Sequence, residues 1–193
     1  MHLESIEKGL TEKRPYLEIV RKVYLTYPTM ALIGDEERQF LILNEISEKF
    51  NIPINNIHVA GSAKTGKSFH KNTSFIPKVS DLDIAIIDTD LFRFYTEHVF
   101  KITKGFNDRS SFPIRDGLST FKQYSEYITK GIFRPDLMPS DLKRADWFTF
   151  FGKISSKHKD LFNSINAGIY MSQVFFEQKQ ITTIKDYISN KAT

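Results

Sequence analysis

One apolar run constrains the fold more than any other part of the chain, namely Leu82-Asp83-Ile84-Ala85-Ile86-Ile87. Five of its six residues are apolar, and three of those are β-branched isoleucines. Short apolar runs bounded by polar residues are typical of strands in the interior of a sheet. We therefore expect an α/β or α+β fold, with a small mixed sheet flanked by N-terminal and C-terminal helices.

Two further segments predict strands, and the rest of the chain is mostly helical in pattern. Residues 57–60 form a short apolar run between Asn55-Asn56 and Gly61, and residues 165–170 are a weaker candidate. Apolar spacing predicts six helices. Three of them are at 14–25, at 121–132 and at 171–189, and a fourth is at 141–154, where a strand is the alternative. A fifth begins after Asp35 as its N-cap and ends before Pro53, and a sixth runs to residue 102 with Thr89 or Asp90 as its cap. Residues 61–80 and 105–117 have loop composition, the former with at most one helical turn.

The final helix is expected to pack on the sheet without contacting a substrate. Its inward side chains are predicted to be Val174, Phe175, Ile181, Ile184 and Ile188. We interpret residues 1–193 as one domain, with a catalytic core at about 35–105 and a helical C-terminal part at about 118–190.

Composition excludes several classes of protein. The 193 residues contain no cysteine, which excludes a disulfide scaffold, thiol catalysis and cysteine-ligated metals. The N-terminus has no apolar core of the secretory type and no apolar run is long enough for a membrane span, so we expect a cytoplasmic protein without a membrane partner. The net charge of +4 suits a phosphate-bearing ligand.

Two acidic residues open the central strand. Asp81 and Asp83 are two residues apart, so in a strand their carboxylates lie on the same face. Adjacent carboxylates repel each other unless a cation lies between them. Carboxylate oxygens together with substrate phosphates suit Mg²⁺, with Mn²⁺ as a substitute. In phosphoryl transfer, such metal ions stabilise both the attacking oxygen and the leaving oxygen. We therefore predict Asp81 and Asp83 as catalytic metal ligands.

The segment after the first strand carries groups suited to phosphate. Gly61 permits close approach of the backbone to a triphosphate, and Ser62 supplies a hydroxyl and an N–H donor. Lys64, Lys67 and Lys71 bring positive charge to the same loop, where a leaving pyrophosphate develops negative charge. These residues predict a nucleotide site, with Ser62 also a catalytic candidate.

A strand followed by Gly61-Ser62, and then a strand opening with Asp81-Leu82-Asp83-Ile84, resembles the DNA polymerase beta-like nucleotidyltransferase superfamily. The resemblance implies transfer of a nucleoside monophosphate from an NTP or dNTP to a hydroxyl, with release of pyrophosphate. By likeness to small bacterial members, the resemblance also implies that the acceptor is a protein, an RNA or DNA end, or a nucleotide. Such members belong to toxin, signalling or antiviral defence systems, which often include a partner protein.

Members of this superfamily usually carry a third carboxylate on a later strand. The candidate strand at 165–170 carries none, and the nearest candidates are Asp136 and Asp146. This departure leaves open a catalytically weak relative that serves as a binding or regulatory subunit.

A second alternative uses the same loop. Residues Gly61 to Ser68 match G-x-x-x-x-G-K-S, the phosphate-binding loop of P-loop NTPases and kinases, with Lys67 and Ser68 as nucleotide ligands. That loop requires its lysine and serine to open a helix on a parallel sheet. The polar segment that follows, with Pro77, offers no long helix, so the context favours the nucleotidyltransferase interpretation.

Overall fold

The computed structural model describes residues 2–191, which contain eight α-helices and one four-stranded sheet. The helices are α1 His2–Thr11, α2 Tyr16–Val20, α3 Glu36–Phe50, α4 Gly61–Thr65, α5 Thr89–Ile102, α6 Phe121–Ile128, α7 Leu142–Lys157 and α8 Gln173–Lys191. The strands are β1 Ile57–Ala60, β2 Lys67–Ser68, β3 Thr73–Ser74, β4 Leu82–Ile87, β5 Ile114–Arg115, β6 Leu118–Ser119, β7 Ile132–Phe133 and β8 Ile165–Tyr170. A π-helical stretch, Arg21–Thr26, continues α2.

The main sheet is mixed, with strand order β1-β4-β8-β7. The two central strands, β4 and β8, run parallel, and β1 and β7 pair with them in antiparallel fashion. Strands β2 and β3 form a separate hairpin, as do β5 and β6. The apolar run at 82–87 is thus a central strand, which explains why four of its six residues are buried.

Helices cover both faces of this sheet. On one face, Leu82, Ile84 and Ile86 belong to a buried cluster with apolar residues of α3, α5 and α7. On the other face, Ala85 belongs to a second cluster with residues of α1, α2 and α8. Full burial of an isoleucine or leucine side chain contributes about 1.5–3 kcal/mol, so the alternation of β4 between the two clusters fixes its register.

The structure confirms the predicted strands at 57–60, 82–87 and 165–170, and a mixed α/β fold. The helix predicted at 141–154 is α7, so the strand alternative is wrong. The cap of α5 is neither Thr89 nor Asp90, because the Asp88 carboxylate accepts the N–H of Leu91 at 2.8 Å. The helix predicted at 121–132 ends at Ile128, since Gly131 adopts a left-handed conformation before β7.

The inward face of α8 differs in part from the prediction. Val174 is 68% exposed, whereas Phe176, Glu177, Gln180, Ile184 and Tyr187 are buried. Their spacing of one, three, four and three residues defines one helical face, and the apolar pattern missed it because two of its members are polar. Within residues 2–191, no helix has both the length and the apolar character needed to span a membrane.

Candidate functional site

A cleft of about 670 Å³ contains the predicted acidic pair and opens beside the main sheet. Its floor includes Asp83 and Ala85 of β4 and the residues that pair with them on β8, Asn166 and Gly168. Its walls include residues of the β2 strand, of the segment that follows β7, and of α8. The volume lies in the range of sites for small molecules and cofactors.

The two carboxylates line this cleft together, as the sequence predicted. Asp81 immediately precedes β4, and its Oδ1 accepts hydrogen bonds from Asn163 Nδ2 at 2.9 Å and Ser164 Oγ at 2.7 Å. Asp83 lies within β4, between Ala60 of β1 and Asn166 of β8. Among the described residues, no side chain or backbone N–H donates a hydrogen bond to the Asp83 carboxylate, so both of its side-chain oxygens are available to a ligand.

The electrostatics of Asp83 favour a bound cation. Enclosure by the walls of the cleft, together with the neighbouring Asp81 charge, raises the pKa of Asp83 to about 6, although Arg134 and Lys71 act in the opposite direction. Its side chain stays open to solvent on the cleft side. A divalent cation between Asp81 and Asp83 would relieve this repulsion.

The donor set fits Mg²⁺ or Mn²⁺ in a particular way. No group of three or more acidic or histidine side chains within residues 2–191 is arranged to hold a metal. Two carboxylates at the edge of a cleft match the usual coordination of Mg²⁺ in proteins. This ion retains several water ligands and binds substrate phosphates in addition to one or two protein carboxylates. Asp81 and Asp83 are the residues that would hold it.

Gly61 lies directly against Asp83. Its φ is +65°, and a Cβ added there would approach Asp83 Oδ2 to 2.2 Å. The chain therefore needs glycine at this position twice over, for its left-handed backbone and for the space that the carboxylate occupies. Ser62, the other half of the predicted pair, is half-buried in α4, and it is not among the residues that line the cleft.

Positive charge surrounds the cleft, in part from predicted residues. Lys67, Ser68 and Lys71 line it, as do Arg134 and Lys179. Lys64 does not, because α4 turns its side chain into the interior, where Nζ donates to the Tyr27 carbonyl at 2.6 Å. Burial lowers the pKa of Lys64 to about 8. The spacing of Lys64, Lys67 and Lys71 along the loop does not indicate that the first is buried and the other two line the cleft.

The loop at 61–68 does not have the geometry of a P-loop. Helix α4 ends at Thr65, and Gly66 follows it with φ +82°. Lys67 and Ser68 then form β2, which pairs with β3 in the hairpin. A P-loop lysine and serine begin a helix whose N–H groups bind phosphate, and these two residues are in extended backbone instead.

The candidates for a third carboxylate take different places. Asp136 lines the cleft, but it is bound by Arg134 at 2.8 and 3.0 Å and by Arg115 at 3.1 Å. Asp146 does not line the cleft, and it pairs with Lys49 at 2.9 Å. The position beside Asp83 on the neighbouring strand is Asn166, an amide.

Sequence reasoning missed Asn166, Arg134, and the residues of α8 that line the cleft, which are Lys179, Gln180 and Thr183. Helix α8 therefore forms part of the cleft wall, and the expectation that it does not contact a substrate stays a prediction. The available signal was the pair of polar residues, Glu177 and Gln180, on the buried face of α8. Comparisons with family models, curated proteins and solved structures find no match to this chain.

Proposed function

We propose that the protein is a Mg²⁺-dependent nucleotidyltransferase that moves a nucleoside monophosphate from an NTP or dNTP to a hydroxyl, with release of pyrophosphate. The observation that carries the proposal is the acidic pair of Asp81 and Asp83 in a cleft that Lys67, Lys71 and Arg134 also line. The unpartnered Asp83 carboxylate and its raised pKa support a cation at this point. The arrangement of a nucleotidyltransferase core, with its Gly-Ser and Asp-x-Asp elements, is part of the proposal.

Each residue has a role that follows from its position. Asp81 and Asp83 hold the cation, which supplies charge neutralisation at the phosphate and activation of the attacking hydroxyl. Gly61 leaves room beside Asp83, so the triphosphate can approach the backbone closely. Lys67 and Lys71 offset the negative charge that develops on the leaving pyrophosphate. The acceptor oxygen bonds to the α-phosphorus as the bond to pyrophosphate breaks, and the hydroxyl proton leaves to water.

The test is turnover with labelled nucleotides. The protein is incubated with each NTP and dNTP in Mg²⁺ or Mn²⁺, and pyrophosphate and the size of the labelled product are followed. The double variant Asp81→Asn/Asp83→Asn is expected to lose all pyrophosphate release. The control, Asp90→Asn, removes one carboxylate from an exposed position on α5, where it pairs with Arg93, and should retain it. Unchanged turnover in the double variant would reject the proposal.

One observation favours a second candidate function. The residue beside Asp83 on β8 is Asn166, and Asp136 is already paired with two arginines, so a free third carboxylate is absent from the described part of this cleft. A nucleotide-binding or regulatory subunit with weak turnover would fit that arrangement. It predicts binding of Mg²⁺-nucleotide without pyrophosphate release, in the absence of a partner protein.

The labelled product also identifies the acceptor. A label on a small product indicates transfer to a nucleotide, and a label on RNA, DNA or protein indicates the corresponding hydroxyl, as the resemblance to toxin and defence enzymes suggests. Release of ADP and phosphate that depends on Lys67 would instead indicate an NTPase.

A further inference from the structure

The α8 wall of the cleft carries Gln180, whose amide has no hydrogen-bond partner among the described residues. Gln180 is 4% exposed and lines the cleft. Within residues 2–191, no side chain or backbone group hydrogen-bonds to its amide. The amide nitrogen and oxygen are not sealed from solvent, since neither is among the fully buried polar atoms that lack a partner. An amide that faces a cleft in this state is therefore available to a ligand, with one donor group and one acceptor side by side.

The surroundings of Gln180 suit a flat group. Tyr24, Phe69 and Tyr170 contribute to the lining of the same cleft, and because each residue is mostly buried, only part of each ring can reach it. On the sheet, the paired residues Ala85 and Gly168 are small, so the floor between the acidic pair and β7 is low. A planar ring would bury apolar area against these groups and present its polar edge to an amide.

The cleft thus combines two kinds of recognition. Carboxylates and lysines suit a metal-bound phosphate, and an aromatic surface with an unpaired amide suits a heterocycle with adjacent donors and acceptors. We propose that Gln180 hydrogen-bonds to the edge of the nucleobase and determines which base the protein selects. This inference rests on the proposed function, because it takes the ligand of the acidic pair to be a nucleotide.

The chemistry of the amide provides a directional test. An amide can match any base edge that has one donor beside one acceptor. A carboxylate accepts only, so it matches an edge with two adjacent donors, which guanine presents through its N1–H and its exocyclic amino group. The variant Gln180→Glu is therefore expected to favour guanine over the other three bases. Gln180→Leu removes both groups and should weaken base recognition without a new preference.

The experiment measures binding without turnover. Dissociation constants are determined by calorimetry, with Mg²⁺, for the α,β-methylene analogues of ATP, GTP, CTP and UTP. We expect Gln180→Leu to weaken the preferred analogue about tenfold and to reduce the differences between bases. Gln180→Glu should raise the affinity for the GTP analogue relative to the other three by about tenfold. The control is Gln178→Leu, at an exposed position of the same helix, which should change no constant.

Two outcomes would overturn the inference. One is that Gln180→Leu and Gln180→Glu leave all four dissociation constants unchanged, although melting curves show that both variants are folded. The other is a failure of the unmodified protein to bind any of the four analogues. The proposed function fails separately. If binding depends on Gln180 but natural nucleotides release no pyrophosphate, the role of Gln180 in base recognition is supported and the transferase is rejected. If the protein turns over nucleotides and the Gln180 variants keep its base preference, only the role of Gln180 is rejected.

Discussion

Replacement of Gly61 by alanine tests the construction of the site most directly. The Gly61 backbone has φ +65°, and a Cβ there would lie 2.2 Å from Asp83 Oδ2. Nearby atoms rarely come within 3.4 Å of a real Cβ, so the carboxylate must move by about 1 Å to restore ordinary contact. Asp83 is held within β4 between two paired strands, so its side chain must rotate or the strand must shift.

The expected effects have two parts. A left-handed backbone costs a residue with a side chain about 1–2 kcal/mol of folding stability. The displaced carboxylate adds to that cost, and a misplacement of about 1 Å at a reacting centre can reduce the rate by about 100-fold. Gly61→Ala is therefore expected to lose more than about 2 kcal/mol of stability and about 100-fold in kcat/KM.

Gly34 provides a matched control. It also has a left-handed backbone, with φ +84°, but an added Cβ would meet no atom within 4 Å. Gly34→Ala should therefore show the backbone cost of about 1–2 kcal/mol alone and should retain turnover. Urea unfolding gives the free energy of unfolding of both variants, and pyrophosphate release gives their rates. If the two variants lose equal stability and both retain turnover, the contact between Gly61 and Asp83 has no role in the site.

Three further predictions concern charged groups. The folded pKa of Asp83, about 6, lies above its usual 3.8, so the carboxylate destabilises the fold progressively as the pH rises between these values. The Asp83→Asn variant should consequently have a larger free energy of unfolding in urea than the unmodified protein above pH 6, and the difference should vanish below about pH 4. A difference that stays constant across this pH range would contradict the raised pKa of Asp83. Burial lowers the pKa of Lys64 to about 8, so the unmodified protein should gain stability relative to Lys64→Met as the pH rises from 8 towards 10. In calorimetry Lys67→Met should weaken binding of the triphosphate analogues roughly fivefold, whereas Lys64→Met should leave it unchanged, and equal losses would show that both ammonium groups reach phosphate.

Local pattern was sufficient for most of the secondary structure. The strands at 57–60, 82–87 and 165–170 were predictable because apolar runs of this length, bounded by turn-forming residues, have few other solutions. The same reasoning failed where neighbouring elements decide the outcome. Val174 is apolar and exposed, and Gln180 is polar and buried, because the partner of α8 is a sheet with a cleft beside it.

The acidic pair illustrates what a sequence determines about a site. The spacing of Asp81 and Asp83 is local, and the strand converts it directly into two carboxylates in one cleft. The lysines of the loop are different, since Lys64 and Lys67 are three residues apart but one enters the interior and the other lines the cleft. A left-handed glycine at position 66 separates the two, and the hairpin after it sets the direction of Lys67.

The sequence by itself therefore determined the central strand, its acidic pair and the mixed α/β class of the fold, because each depends on the order of residues within one element. Only the tertiary structure decided which residues from distant segments share the cleft. Asn166, Arg134 and Gln180 lie at least 51 positions beyond Asp83 in the chain, and strand pairing and helix packing bring them to one cleft. Such contacts are set by the burial of apolar faces across the whole domain, which no local pattern contains.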